Sequence, residues 1–272
     1  MANVLDYLCG GKPVSGPVVL VAAHPDDEVC SAGSRMMRFR DVLQVVHLTD
    51  GSPRDLSDAH AAGFRTGEEY ARARRRELRC ALEIAGIGPG RAHYLGFVDQ
   101  ESGFHLAEAA LKLKDLLADL RPGLILCHSY EGGHPDHDSA AFAVHAAVEM
   151  LAGEGTPRIG IAEFGSYHAR GGRMAVFEFL TAAGCRECPV NLSPQEWELK
   201  KRMVDCYVSQ ENMVRQFPLR FERYREAPIY DFTRPPHEGK LFYEHFSWGM
   251  TGPEWREQAC SAQETLELAN IR

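Results

Sequence analysis

Positive charge is scarce in this chain. Its 272 residues hold 30 Lys and Arg against 38 Asp and Glu, a formal net charge of -8. Nucleic-acid binders carry a basic stripe, so this balance excludes nucleic acid as a partner and an anionic membrane surface as the main one. The one dense basic run, residues 72–79, falls in a helical pattern and is balanced by Glu68, Glu69 and Glu77. No apolar run reaches the roughly 18 residues of a membrane span, and residues 1–16 lack the basic start and apolar stretch of a signal peptide. No G-x-G-x-x-G follows the first predicted strand, which argues against a nicotinamide-binding enzyme. Internal repeats and low-complexity stretches are absent. The 8 cysteines are scattered, and the one C-x-x-C, at Cys185 and Cys188, has no second pair to complete a zinc site and is read as coincidence. All eight are expected to be reduced thiols of a cytoplasmic protein.

The composition, 44% hydrophobic and 25% charged, suits an ordinary globular fold. Short Val- and Leu-rich runs at 17–24, 42–49, 92–97, 124–128 and 158–164 read as buried strands. Helical patterns alternate with them at 27–39, 66–85, 106–120 and 139–151, the second opening on the capping box Thr66-Gly-Glu-Glu69. This alternation predicts an α/β fold, a mostly parallel sheet with helices on both faces. A further strand is expected near 174–180. Ser193-Pro194-Gln195-Glu196 then opens a helix expected to reach about 216, and an aromatic, aperiodic tail follows. One domain over 1–272 is the simplest reading, with a core at about 17–210 and an irregular C-terminal layer at about 217–272.

Two segments carry chemistry. Ala23-His-Pro-Asp-Asp-Glu28 directly follows the first strand, and Gly133-His-Pro-Asp-His-Asp138 follows the strand ending at His128. Strand C-terminal ends are where open α/β sheets bind ligands. A catalytic zinc wants three imidazole and carboxylate ligands and a fourth position for water, and His24, Asp27 and His137 supply that set. Asp26 could then take the water's proton. His134, as imidazolium, could stabilise a tetrahedral oxyanion, with Asp136 holding that ring protonated and oriented.

These two blocks resemble the PIG-L/LmbE-like N-acetylglucosaminyl deacetylase family, and the likeness extends over about 17–210. Weaker family-like features are Leu48-Thr-Asp-Gly51, the Arg-rich stretch ending at Leu78, Leu95-Gly-Phe-Val-Asp99, and Ser209-Gln210. The resemblance implies a Rossmann-like fold, one Zn2+ or another divalent metal per chain, and hydrolysis of an N-acyl, chiefly N-acetyl, group on an amino-sugar substrate. By similarity His24, Asp27 and His137 would bind metal, Asp26 would be the base and His134 the electrostatic stabiliser. Arg74 and Asp99 would contact substrate. One departure stands out: members of thiol-cofactor pathways can carry a tyrosine two residues before the second-motif histidine, where this chain has Gly132, with Tyr130 further back.

Two other functions stay open at this point. A metal-dependent phosphoesterase would use the same acids, usually with two metals. A sugar- or metal-binding protein without turnover would need neither Asp26 nor His134. The sequence leaves homo-oligomerisation, the sugar, the aglycone and the acyl group undecided.

Overall fold

The structure is a computed structural model that describes residues 4–268. The ends of the expected 1–272 span, and the first residues read for a leader, lie outside the described residues. The elements run α1 (Val4–Leu8), β1 (Val18–Ala22), α2 (Asp27–Phe39), β2 (Leu43–Thr49), α3 (Ser57–Ala61), α4 (Gly67–Ala85), β3 (Ala92–Phe97), α5 (Leu106–Leu120), β4 (Leu124–His128) and α6 (Pro135–Gly153). They continue with β5 (Gly160–Phe164), β6 (Tyr167–Arg170), β7 (Arg173–Val176), β8 (Glu187–Asn191), α7 (Pro194–Val204), α8 (Glu211–Val214), β9 (Phe221–Glu226) and α9 (Gly252–Thr265).

Seven strands form the main sheet in the order β3-β2-β1-β4-β5-β9-β8. The first five pair in parallel, whereas β9 runs antiparallel to both β5 and β8. Side chains alternate between sheet faces. Val18, Leu20 and Ala22 therefore join the layer containing residues of α2 and α7, while Val19 and Val21 join the layer containing residues of α5 and α6. Both faces of β1 and β4 are buried, which explains their unbroken apolar runs.

The topology brings the two motif segments together. Chain order turns outward from β1 in both directions, through β2 on one side and β4 on the other, so a crevice opens beyond their C-terminal ends. Val21 of β1 sits opposite Cys127 of β4, and the loops after these strands lie side by side.

Three expectations need correction. The helix opened at Ser193 ends at Val204 and resumes only as a 3-10 turn over Val208–Gln210 and the short α8. The core does not stop at 210, because β9 lies inside the stretch read as aperiodic tail. Its alternation is disguised: Glu222 and Arg225 are charged yet buried. Finally, Cys9 and Cys188 form a disulfide, so the eight cysteines are not all reduced, and the cytoplasmic expectation loses the support it drew from them.

The rest of the tail is mostly packing. Phe232, Tyr243 and Trp255 join Phe142 and Ala146 of α6 in a third apolar cluster. No helix among the described residues is long and apolar enough to cross a membrane.

Candidate metal centre and active-site pocket

Asp27 is the first residue of α2 and lies one turn below the end of β1. Its Oδ2 accepts the backbone N–H of His24 at 2.9 Å and lies 3.1 Å from His24 Nδ1. From the other segment, His137 stands in the first turn of α6 with Nε2 3.3 Å from Asp27 Oδ1. That nitrogen is buried and has no hydrogen-bond partner. The donor atoms of His24, Asp27 and His137 all lie within 4.8 Å of one another. Two imidazoles and a carboxylate, with one ring nitrogen orphaned, fit a divalent cation. Beneath them His128 stacks on His137, with centroids 3.9 Å apart and planes at 20°. Burial, with His137 adding to it, drives His128 down to about 3, so this ring stays neutral. Burial acts to raise Asp27, but His137 and His128 outweigh it and hold the carboxylate well below its ordinary range.

Asp26 caps α2 without using its side chain as a cap, at φ 132°, a left-handed conformation costly for a residue with a Cβ. Neighbours hold it there. Its N–H donates to Glu28 Oε2 at 3.0 Å, and Glu28 is itself tied to His47 Nε2 at 2.9 Å and to the Tyr207 hydroxyl. Arg74 Nη2 donates to Asp26 Oδ2 at 2.8 Å and to the Pro25 carbonyl at 2.7 Å, while its Nη1 binds the Gly51 carbonyl. Burial raises Asp26 to about 8 despite Arg74, with Asp27 adding to the rise.

His134 is the N-cap of α6, and its Nδ1 accepts the backbone N–H of Asp136 at 3.1 Å. An accepting Nδ1 leaves the ring proton on Nε2. Burial, reinforced by His24, holds His134 well below its usual range. The Asp136 carboxylate serves a different histidine from the one expected. Its Oδ2 is 3.2 Å from His24 Nε2 and accepts Gln100 N–H at 2.6 Å, while Oδ1 accepts the N–H and hydroxyl of Ser102. It lies 3.9 Å from His134 Nδ1, on a nitrogen already occupied. Burial thus opposes the imidazolium expected at His134, and the Asp136 carboxylate lies closer to His24 than to His134.

Arg74 and Asp99 both reach the pocket. Arg74 is committed to Asp26 and two carbonyls rather than free. Asp99 Oδ1 is buried without an aligned donor, 3.1 Å from His24 Nε2, and Oδ2 is 3.8 Å from Arg74 Nη1. Gly132 has φ +71° and lies against the Leu241 side chain, which an added Cβ would approach to 2.7 Å, so a tyrosine there would be strained and would displace Leu241. Tyr130 faces away, its hydroxyl donating to the Arg234 carbonyl.

Of the site residues expected from sequence, all but Asp136 line one pocket of about 390 Å³, within the size range of small-molecule sites. Its walls come from α3, Tyr70 and Arg74 of α4, Tyr167, the 208–213 segment and Trp248. Sequence reasoning missed several supports. Glu28 stood inside the quoted motif, but its role is visible only once His47 and Tyr207 converge on it. Gln100 and Ser102 directly follow Asp99, and Trp248 reaches the site from the tail, 4.6 Å from the His134 ring.

An open α/β sheet with a His/Asp cluster at its switch point defines a class of ligand-binding α/β domain able to take a metal. Residues 19–148 match the family model described as PIG-L, GlcNAc-PI de-N-acetylase. That segment, just under half of the chain, contains every residue from His24 to His137 discussed above and is what the chain shares with the PIG-L family. A 1D-myo-inositol 2-acetamido-2-deoxy-alpha-D-glucopyranoside deacetylase of Corynebacterium glutamicum is 32% identical over 152 residues, covering 48% of this chain and 52% of the relative. The chain thus spans about half the length of such curated relatives. Among solved structures, the A40926 pseudoaglycone deacetylase superposes at TM-score 0.58, with 17% identity over 78% of this chain and 96% of the other. The 4-carboxy-2-hydroxymuconate hydratase of Pseudomonas putida reaches TM-score 0.54, with 17% identity over 78% of this chain and 95% of the other. At such identities the likeness is one of fold, and a fold that houses both a deacetylase and a hydratase does not decide the reaction.

Proposed function

We propose that the protein is a metal-dependent amide hydrolase, with zinc as its metal, that removes an N-acyl group, acetyl first, from an amino-sugar conjugate. The observation that carries this reading is the meeting of His24, Asp27 and His137 within 4.8 Å in a pocket that also holds Asp26 and His134. The relative's printed activity on a 2-acetamido-2-deoxyglucopyranoside points the same way.

In this reading His24, Asp27 and His137 are the metal ligands. A divalent metal held there supplies Lewis-acid activation of water and of the amide carbonyl. Asp26, propped by Glu28 and Arg74, removes the proton from the attacking water and passes it to the departing amine nitrogen. A carboxylate that takes one proton from water and returns it to nitrogen ends the cycle in its starting form, which suits it to both tasks. His134 donates its Nε2–H to the carbonyl oxygen as negative charge develops there. Asp136 fixes the ring of His24 so that Nδ1 faces Asp27. Arg74 acts on the substrate only through Asp26, and Asp99 offers its unfilled oxygen to a sugar hydroxyl.

The phosphoesterase reading gains little. A second group, His24, Asp99, His134 and Asp136, also lies within 4.8 Å, but both Asp136 oxygens already accept protein donors. Arg74, the one lysine or arginine among the described lining residues, already commits both Nη groups to Asp26, Pro25 and Gly51 and keeps only a buried Nε without a partner.

Zinc-loaded protein should release acetate from an N-acetylglucosaminide and bind one metal per chain. Asp26→Asn should lose at least about a hundredfold in kcat while keeping its one metal. Undiminished turnover by that variant removes Asp26 from the mechanism, and two tightly bound metals favour the phosphoesterase.

A further inference from the structure

The chemistry at the pocket floor leaves its mouth unexplained. Val208 lines the pocket yet is 73% exposed, and Phe246 nearby is 45% exposed. The Phe246 ring stacks on Trp248 with centroids 4.5 Å apart and planes at 14°, and Trp248 in turn packs on His134. An apolar path therefore leads from the reacting region outward along Trp248 to Phe246, with Val208, Met213, Ala61 and Ala62 among the other lining residues. Val208 on the pocket wall and the Phe246–Trp248 stack beside it leave apolar surface exposed, which a bound ligand can cover.

Charge narrows what can cover it. Away from the residues around the metal centre, Asp58 and Glu211 line this pocket, Glu211 being paired with Arg215, and Arg74 is the one lysine or arginine among the described lining residues. Arg74 is already engaged by Asp26 and by the carbonyls of Pro25 and Gly51. An aglycone bearing carboxylate or phosphate would meet Asp58 with only uncharged donors such as Gln210 and Asn212, and no uncommitted cation among the described lining residues, to offset it. A neutral apolar group meets no such opposition and removes Val208 and Phe246 from water.

We infer that the pocket mouth is an aglycone-binding subsite selecting neutral, apolar aglycones, and that Val208, Phe246 and Trp248 set this preference. The inference rests on the amino-sugar hydrolase reading and deepens it.

The test uses zinc-loaded full-length protein and three N-acetylglucosaminides that differ only in aglycone: methyl, hexyl and 5-carboxypentyl. Each is assayed for acetate release and, separately, for binding to the Asp26→Asn variant by calorimetry. The hexyl compound should exceed methyl by about tenfold or more in kcat/KM and in affinity, as burial of several methylenes requires. The carboxypentyl compound should fall below hexyl by a similar factor. Val208→Ser combined with Phe246→Ser should collapse the hexyl-to-methyl ratio towards one. Equal ratios in the parent, a ratio the double variant does not move, or a carboxypentyl compound as good as hexyl would each overturn the inference. An aminohexyl compound that outperforms hexyl would do the same, assigning the mouth to cations through Asp58 and Glu211. Hexyl preference in binding without acetate release would uphold the subsite and sink the hydrolase reading, so the two fail separately.

Discussion

Glu222 and Asp26 are both carboxylates buried in the same fold, but their surroundings differ. Glu222, on β9, has every acceptor position filled. Oε1 takes Lys200 Nζ at 2.8 Å and Ser34 N–H at 2.9 Å, and Oε2 takes the Tyr224 hydroxyl at 2.6 Å and the Ser34 hydroxyl. Lys200 outweighs burial and holds Glu222 below its ordinary range. Asp26 has one cation, a strained backbone and a pocket in front of it, and burial wins. A saturated carboxylate joins elements, here α2, α7 and β9. One left short of partners at a cavity wall is available for chemistry.

The comparison is broken most strongly by removing Lys200. Lys200→Met leaves Glu222 charged and alone in the interior, and unfolding free energy should fall by about 3–5 kcal/mol. Lys200→Met with Glu222→Leu should recover only part of that loss, since it removes the unpaired charge but leaves the donors of Ser34 and Tyr224 without an acceptor. Urea unfolding of the three proteins measures both effects, and a single variant as stable as the parent would deny the pair its joining role. Acetate release per folded molecule should stay at the parental level, because neither residue lines the pocket.

A second charged cluster lies between these extremes. Arg225 Nε donates to Glu163 Oε2 at 2.6 Å and its Nη2 lies 3.4 Å from Glu131 Oε1, so two buried carboxylates share one guanidinium. Burial raises Glu163 to about 7 against the pull of Arg225. The folded state then holds a proton that the unfolded chain releases near pH 4.3. Stability should therefore fall as pH rises from about 4.3 to 7, with the loss complete above 7. Glu163→Gln removes this dependence, so its advantage should grow from nothing at pH 4 to about 1–3 kcal/mol at pH 8. Denaturation of parent and variant at both pH values decides it, and parallel curves would mean that Glu163 is ionised throughout.

These clusters also explain what could be read in advance. β1, β2 and β4 are continuous apolar runs because both faces are buried, and α4 announces itself by a cap at Thr66 and a left-handed Gly86. The cluster of His24, Asp27 and His137 was legible because its residue types fall within two short segments at neighbouring strand ends. β9 was not, because Glu222 and Arg225 carry charge into the interior and only partners distant in sequence make that tolerable. The partner of Asp136 was misjudged for a related reason. Two residues apart in sequence, His134 and Asp136 look like a pair, but the first turn of α6 sends the carboxylate across to His24, 112 residues away.

That crossing supports the smallest and most specific prediction. Asp136 can orient His24 only if it is itself held, and Ser102 supplies two of its bonds, one from the backbone and one from the hydroxyl. Ser102→Ala removes the hydroxyl alone and leaves Gln100 and the backbone N–H in place. Outer-sphere partners of this kind are worth about 10–100-fold in metal affinity or activity, and with one of several bonds lost the effect should sit near the lower bound. Because the path runs through His24, the loss should register as weaker zinc binding in a competition titration against a chromophoric chelator. Activity at saturating zinc should then recover most of the way. A drop in kcat that excess zinc does not restore, with zinc affinity unchanged, would instead place Asp136 on the His134 side of the site.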